Sequence, residues 1–239
     1  LRLCHSIMML IMTPSNSPKI SHIIRSDRRS FGIEIKPDGR LIVRAPQTAT
    51  DRQVRAVVEK KAGWITKTQA RLEKQYPALK PKTFTPGESF WYLGQHYPLR
   101  LTERQRPPLE LDGAFRLSRA ALKRARDVFK EWYREETRTI TQDLIGRYSR
   151  THGFRVEGVR ITSARTRWGS CSGKNTLNFT YRLSMAPLHV IDYVVVHELV
   201  HLKIRNHSRR FWSVVAQIKP DYRADRQWLK QHGPLLTLD

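Results

Sequence analysis

The sequence predicts an α+β fold, with strands concentrated in the first half of the chain and helices in the second. Short apolar runs bounded by turn residues fill residues 19–117, which is typical of β-hairpins. Long stretches with helical spacing follow from residue 118. An apolar content of 39% in 239 residues is enough for a sizeable core. We therefore expect a β-hairpin-rich region over 19–117 and a second domain over 118–236.

Three hairpins are predicted in the first half. Residues 30–35 and 40–43 flank the turn 36–39, in which Pro37 fixes one φ and Gly39 supplies a positive one. Residues 90–101 and 109–117 are each interrupted at a glycine, Gly94 and Gly113. Between the first and second hairpins, Thr50 or Asp51 can cap a helix that reaches Ile65.

The second half begins with a helical stretch from Ser118 that should end near Gly153. Strands are then expected at 159–162, 163–171 and 176–181. Pro187 suits the first turn of a helix over 188–202, which is apolar nearly all round and should run through the interior. Ser208 and Asp221 can cap two further helices.

The chain is strongly basic. Its 44 Lys and Arg against 21 Asp and Glu give a formal charge of +23. A positive charge of this size attracts polyanions, so nucleic acid is a candidate partner. The alternative is a basic surface that is only solvated by water. Lys and Arg also dominate residues 203–230, which could bind phosphate or an acidic peptide near the helix over 188–202.

The cysteine content and the N-terminal residues indicate the cellular location of the protein. Only Cys4 and Cys171 are present, which favours a reducing cytoplasm over a disulfide framework. The apolar stretch 7–12 is far shorter than a bilayer span of roughly 20 residues. We expect residues 1–18 to be a disordered or mis-called N-terminal tail. We also expect that the protein has no membrane partner.

The polar residues of the helix over 188–202 form the pattern His197-Glu198-Leu199-Val200-His201. Residues four apart lie above one another on a helix, so the two imidazoles can converge on one ion while Glu198 faces the same cavity. A catalytic zinc takes three protein ligands and leaves a fourth position to water. His207 is the predicted third ligand, and Asn206 is predicted to supply the left-handed turn that brings it back.

This pattern predicts one Zn²⁺ per chain and a zinc metallopeptidase activity. Glu198 would activate a metal-bound water for attack on a peptide carbonyl and then protonate the leaving amine. Tyr222, His152, Arg165 and Arg167 are candidates for stabilising the oxyanion. Imidazole ligands accept several divalent metals, and availability often decides which one binds, so other divalent ions are alternatives to zinc.

Four segments resemble the YgjP-like metallopeptidases, relatives of the SprT-like zincins: 165–172 (RTRWGSCS), 177–183 (LNFTYRL), 192–202 (DYVVVHELVHL) and 206–212 (NHSRRFW). Weaker likeness extends over most of 19–233. Ile204 stands where the longer zincin motif has glycine. The resemblance implies a minimal, gluzincin-like zincin domain over 118–236, with an active-site helix and a small antiparallel sheet.

The resemblance also implies that a strand beside the cleft pairs with the substrate backbone. Either 165–171 or 176–181 could be that strand. Residues near the first, together with an aromatic after the motif, are the predicted substrate-binding residues: Arg165, Arg167, Trp168 and Tyr222. Trp168 and Cys171 also have a structural interpretation, as core residues, and Gly169 as a bulge or close backbone contact.

Two function classes follow. The first is a zinc peptidase that acts on a protein or peptide. The second is a nucleic-acid-binding protein with a structural zinc, which would need a fourth protein ligand and would leave Glu198 without a role. A DNA-guided protease would combine the two, since SprT-like relatives include proteases that act on DNA-attached proteins.

Overall fold

The computed structural model describes residues 18–76 and 81–238, so the predicted tail lies almost wholly outside the described residues. The chain forms two compact units that divide between Leu79 and Lys80. This boundary lies earlier in the chain than the boundary predicted from the sequence, which falls between residues 117 and 118. The physical reason is that the strands just before residue 118 share a core with the helix after it.

The first unit contains a three-stranded sheet and two helices. Its strands are β1 (Ile20–Ser26), β2 (Gly32–Ile35) and β3 (Leu41–Pro46), in the order β1-β3-β2. Strands β2 and β3 form the predicted antiparallel hairpin. Strand β1, which the sequence did not predict, pairs in parallel with β3.

The predicted helix of the first unit is two helices, α1 (Asp51–Lys60) and α2 (Ala62–Gln75). Thr50 caps α1 in a capping box: its hydroxyl accepts from the Gln53 amide and the Gln53 side chain accepts from the Thr50 amide. Lys61 departs from helical geometry between them, with φ −109° and ψ 8°. The apolar residues Val54, Val58 and Ile65 still share one core with β3.

The second unit begins with a four-stranded sheet of order β4-β5-β7-β6. Its strands are β4 (Ser89–Tyr92), β5 (Gln95–Thr102), β6 (Leu109–Leu111) and β7 (Phe115–Ser118). Both predicted hairpins are confirmed, since β4 with β5 and β6 with β7 are antiparallel. A 3₁₀ turn (Arg119–Arg124) then leads into the long helix α3 (Ala125–His152).

An aromatic cluster joins this sheet to α3. Phe90 lies 4.4 Å from Phe129 between ring centres, and Phe115 lies 5.0 Å from Phe129. All three rings are at most 1% exposed. Gly153 ends α3 as predicted, in the left-handed conformation with φ 66°.

A second sheet of the same unit consists of β8 (Gly158–Thr162), β9 (Gly169–Cys171) and β10 (Thr176–Thr180), in the order β8-β10-β9. The prediction of a small antiparallel sheet is wrong for one pair. Strand β9 turns back into β10 as an antiparallel hairpin, but β8 pairs with β10 in parallel. The reason is that residues 163–168 carry the chain from β8 round the C-terminal end of β10, and the β9–β10 hairpin then turns it back in the direction of β8. Strand β9 is also shorter than the predicted 163–171.

Three helices complete the second unit: α4 (Leu188–Val200), α5 (Arg209–Ile218) and α6 (Tyr222–His232). Helix α4 is buried along most of its length, as its apolar sequence predicts. Its start is held by a close contact, because a Cβ on Gly94 (φ +80°) would lie 2.5 Å from Pro187 Cγ. Within the described ranges, none of the helices combines the length and apolar character that a bilayer span requires.

Candidate metal centre

Helix α4 carries two of the predicted ligands on one face. His197 and His201 are one helical turn apart, and their ring centres are 4.8 Å from each other. His201 stands at the C-terminal cap of the helix. The flanking residues Val196, Leu199 and Val200 are fully buried, so the core fixes the rotation of the helix and directs both imidazoles to the same side.

The chain after α4 turns back and brings His207 onto the same point. The turn is made by main-chain hydrogen bonds, with the Ile204 amide donating to Val200 O at 2.9 Å. The prediction that Asn206 supplies a left-handed turn is wrong: non-glycine residues with positive φ in the described ranges are Phe84, Leu93 and Asn175. Asn206 acts instead through its side chain, whose Oδ1 accepts the Ser208 amide at 3.3 Å beside His207.

Three Nε2 atoms converge in this arrangement. His207 Nε2 lies 3.0 Å from His197 Nε2 and 3.1 Å from His201 Nε2. Two nitrogens bound at roughly 2.0–2.1 Å to one tetrahedral ion are about 3.3 Å apart. Over 18–76 and 81–238, these three residues form the one group of at least three His, Cys, Asp or Glu that could hold a metal ion.

The protonation of the ring nitrogens suits a cation. His201 Nδ1 lies 2.9 Å from the Ile204 carbonyl, which can only accept, so Nδ1 carries the proton and the Nε2 lone pair faces the other two imidazoles. Burial, with the neighbouring His201, His207 and Arg226 charges, lowers the pKa of His197 to about 3. His201 therefore presents a lone pair to the point where the three Nε2 atoms converge, and the residues fit a bound metal.

Glu198 lies beside this point in an apolar setting. It is 5% exposed, and its Oε2 has no hydrogen-bond partner. Burial raises its pKa to about 8, and the positive charge of Arg167 opposes that rise. A carboxyl group with a pKa near neutrality can both take and return a proton, which is the requirement for general base and acid catalysis.

Strand β9 packs directly on the Glu198 side chain. A Cβ on Gly169 would be 2.6 Å from Glu198 Oε1, closer than van der Waals contact allows. The structural interpretation of Gly169 from the sequence is a bulge or a close backbone contact, and the atoms that lie closest to it are those of the Glu198 side chain. This contact joins residues far apart in the chain, so no local pattern in the sequence could identify it.

An aromatic platform made of Phe211 and Trp212 supports the three imidazoles. The Phe211 ring is 4.9, 4.5 and 4.9 Å from those of His197, His201 and His207. Trp212 stacks on His207 at 5.7 Å. The sequence placed these residues on a helix face without linking them to the ligands, although Phe211 follows His207 by four residues.

The four predicted substrate-binding residues have different environments. Arg165 and Arg167 are exposed on the loop before β9, and Arg167 is close enough to act electrostatically on Glu198. Trp168 packs inward, 4.9 Å below the Arg182 guanidinium and against Gly233. Tyr222 is 8% exposed and stacks on Trp212 at 5.4 Å.

The two candidate substrate-pairing strands are distinguished by their positions in the sheet. Strand β10 lies between β8 and β9, so both of its sides are already paired. Strand β9 is an edge strand and also contacts Glu198 through Gly169. Of the two, only β9 has a free side for another strand. His152, a candidate for the oxyanion, stacks on Tyr148 at the end of α3 and is not part of the triad.

Comparisons with known proteins identify the family of this chain. The family model for the YgjP-like metallopeptidase domain matches residues 29–232. The crystal structure of the metallopeptidase zymogen abylysin from Pyrococcus abyssi is 28% identical, covering 38% of this chain and 93% of that chain, with a TM-score of 0.34. A comparison with curated protein sequences found no match. Because the family model matches most of the length of this chain, the chain belongs to the YgjP-like metallopeptidase family.

Proposed function

We propose that this metallopeptidase is zinc-dependent, with His197, His201 and His207 as the ligands and Glu198 as the catalytic acid–base. The observation that carries the proposal is the convergence of three imidazole Nε2 atoms beside a buried carboxylate that has an oxygen without a partner. Neutral imidazole is a favoured ligand for zinc.

A zinc ion held by three imidazoles supplies Lewis acidity, which polarises a carbonyl and lowers the pKa of water toward 7. The side chains of the protein perform the remaining steps. Glu198 accepts the proton of the attacking water and returns it to the leaving amine. Burial raises the pKa of Glu198, which increases the proton affinity of the carboxylate and favours its role as the base.

We further propose that the substrate backbone adds to the free edge of β9. This addition would give affinity with little dependence on side chains. Arg165 and Arg167 lie on the loop that enters this strand, where a guanidinium can stabilise the oxyanion or the substrate. Trp168, whose ring is held between Arg182 and Gly233, would act by holding that loop in place, and Tyr222 by supporting Trp212.

The structural-zinc alternative has weaker support. A closed site requires a fourth protein ligand, and the metal-binding group found in the described ranges has three members. The nearby Cys171 sulfur instead accepts from Arg205 Nη1 at 3.2 Å. Binding of nucleic acid, alone or as a guide for proteolysis, rests on the net charge of +23 and remains a prediction.

Metal replacement tests the proposal. The protein is stripped with a chelator and zinc is titrated back, while zinc binding and hydrolysis of an unfolded protein such as casein are followed together. We expect hydrolysis to be restored in proportion to bound zinc and to saturate at one ion per chain. Hydrolysis that persists in stripped protein, or zinc that binds without restoring activity, would contradict zinc dependence.

A further inference from the structure

A basic groove beside the metal centre is not used by the chemistry described above. It is lined by three arginines and two aromatic residues, Arg209, Arg223, Arg226, Trp212 and Tyr222. Its aromatic wall reaches the metal centre, because Trp212 stacks on His207 at 5.7 Å. A molecule bound at the three imidazoles could therefore extend into this basic groove.

The three arginines have unneutralised charge. All are exposed, and within the described ranges none forms an ion pair with an acidic side chain. The nearest acidic residue along α6, Asp225, is 2% exposed and turns to His189 at 2.6 Å and Lys219 at 3.6 Å. The groove therefore keeps a net positive charge for a ligand, even with the exposed Asp221 two residues before Arg223.

Two arginines of the groove are already oriented. The Arg226 guanidinium lies 5.0 Å from the Trp212 ring centre, and Arg223 donates from Nε to the Tyr222 hydroxyl at 3.3 Å. Stacking leaves the edge of a guanidinium free for two parallel hydrogen bonds, the geometry that matches a carboxylate. A guanidinium that is already held in place loses less conformational entropy when a ligand binds.

We propose that this groove is a specificity subsite that binds an Asp or Glu side chain of the peptide substrate, one to three residues from the cleaved bond. The proposal rests on the proposed function, because it places the reacting carbonyl at the three imidazoles. The Trp212 ring lies 5.7 Å from His207 and 5.0 Å from the Arg226 guanidinium. An extended chain advances about 3.3–3.6 Å per residue, so one to three residues span this separation. The preferred substrates are therefore acidic peptides, consistent with the family's action on peptide bonds.

Hydrolysis of matched peptides tests the subsite. Peptides identical except for Glu, Gln or Lys at one position, scanned over three positions on either side of the cleaved bond, are compared at about 0.15 M salt, where weak surface attraction is screened. We expect kcat/KM for the best-placed Glu peptide to exceed that for the Lys peptide at least tenfold. In Arg226→Gln the difference should shrink, and in Arg226→Glu it should reverse.

A matched control separates this subsite from the general charge of the protein. Arg160 is exposed on β8, the sheet edge opposite β9, so Arg160→Glu changes the net charge equally and should leave the preference unchanged. Equal rates for the Glu, Gln and Lys peptides, or the same loss in Arg160→Glu as in Arg226→Glu, would overturn the proposal.

A binding measurement distinguishes failure of the subsite from failure of the proposed function. In the Glu198→Gln background, fluorescence anisotropy should show the Glu peptide binding about tenfold more tightly than the Lys peptide, and Arg226→Glu should reverse this preference. If wild type hydrolyses no peptide while this difference holds, the catalytic proposal fails and the subsite stands. A single-stranded oligonucleotide that binds through Arg226 more tightly than the Glu peptide would overturn the acidic-peptide assignment.

Discussion

Gly169 lies so close to Glu198 that a methyl group at residue 169 would overlap the carboxylate. A Cβ built there is 2.6 Å from Oε1, 2.7 Å from Cγ and 2.9 Å from Cδ of Glu198. The absence of a side chain at residue 169 is therefore what lets the proposed catalytic carboxylate occupy its position. This contact also links the edge strand β9 to α4.

Gly169→Ala should displace the Glu198 carboxylate and reduce kcat by about 10- to 100-fold, since small misplacements of a catalytic group have effects of this size. Zinc content should stay at the wild-type level, because the ligands are untouched. Gly173→Ala is the matched control, since its Cβ would meet open space. Wild-type activity in Gly169→Ala, with the fold intact by circular dichroism, would show that this contact does not position Glu198.

Asn206→Ala should weaken zinc binding. The Asn206 side chain accepts the Ser208 amide and so shapes the turn that carries His207. A hydrogen bond of this kind contributes about 0.5–1.5 kcal/mol, so we expect zinc affinity to fall about 2- to 10-fold, which competition with a chromophoric chelator can measure. Asn206→Asp keeps an acceptor oxygen and should recover most of the affinity. Equal affinities for Asn206→Ala and wild type would exclude this role for Asn206.

Phe211→Ala should lower both stability and metal affinity. The ring is fully buried and contacts all three imidazoles, so its loss leaves a cavity beneath the ligands. Removing a buried Phe side chain costs about 3–5 kcal/mol in unfolding free energy. Denaturant unfolding of metal-free protein and zinc competition measure the two effects, and Phe211→Leu should show smaller losses. If the zinc affinity of Phe211→Ala equals that of wild type, the ring serves the core alone.

The pH dependence of stability should contain a contribution from Tyr148. Its hydroxyl donates to Asp192 Oδ1 at 2.8 Å, and burial together with this hydrogen bond raises the Tyr148 pKa to about 12. An unfolded chain releases this proton near pH 10. The stabilisation is therefore complete below about pH 10 and is lost as the pH rises towards 12.

Denaturant unfolding of wild type and Tyr148→Phe across this alkaline range tests that contribution. The stability of wild type should fall more steeply with pH than that of the variant, because the phenylalanine has no proton to lose. Other buried tyrosines titrate in both proteins and cancel in the comparison. Parallel pH profiles would contradict the assignment.

Local patterns explain what the sequence predicted correctly. The three hairpins follow from turn residues such as Pro37 and Gly113, and α4 follows from its apolar run after Pro187. The relation of His197 to His201 is a property of any helix, so it too could be predicted. The Ser208 cap of α5 is confirmed, since its hydroxyl accepts the Phe211 amide.

Long-range pairing explains what the sequence could not predict. The parallel pairing of β1 with β3, and of β8 with β10, depends on which strands meet across the fold rather than on the residues within a strand. The contact between Gly169 and Glu198 joins two elements whose association is set by the core. The platform under the imidazoles depends in the same way on how α5 packs against α4.

The most direct test of the central claim compares wild type with Glu198→Gln for zinc content and peptide hydrolysis on the same samples, with His207→Ala beside them. We predict that wild type holds about one zinc per chain, that His207→Ala loses the metal, and that Glu198→Gln keeps the metal while losing hydrolysis at least about 100-fold. Wild-type hydrolysis by Glu198→Gln, or wild-type zinc content in His207→Ala, would contradict a three-histidine zinc site served by Glu198.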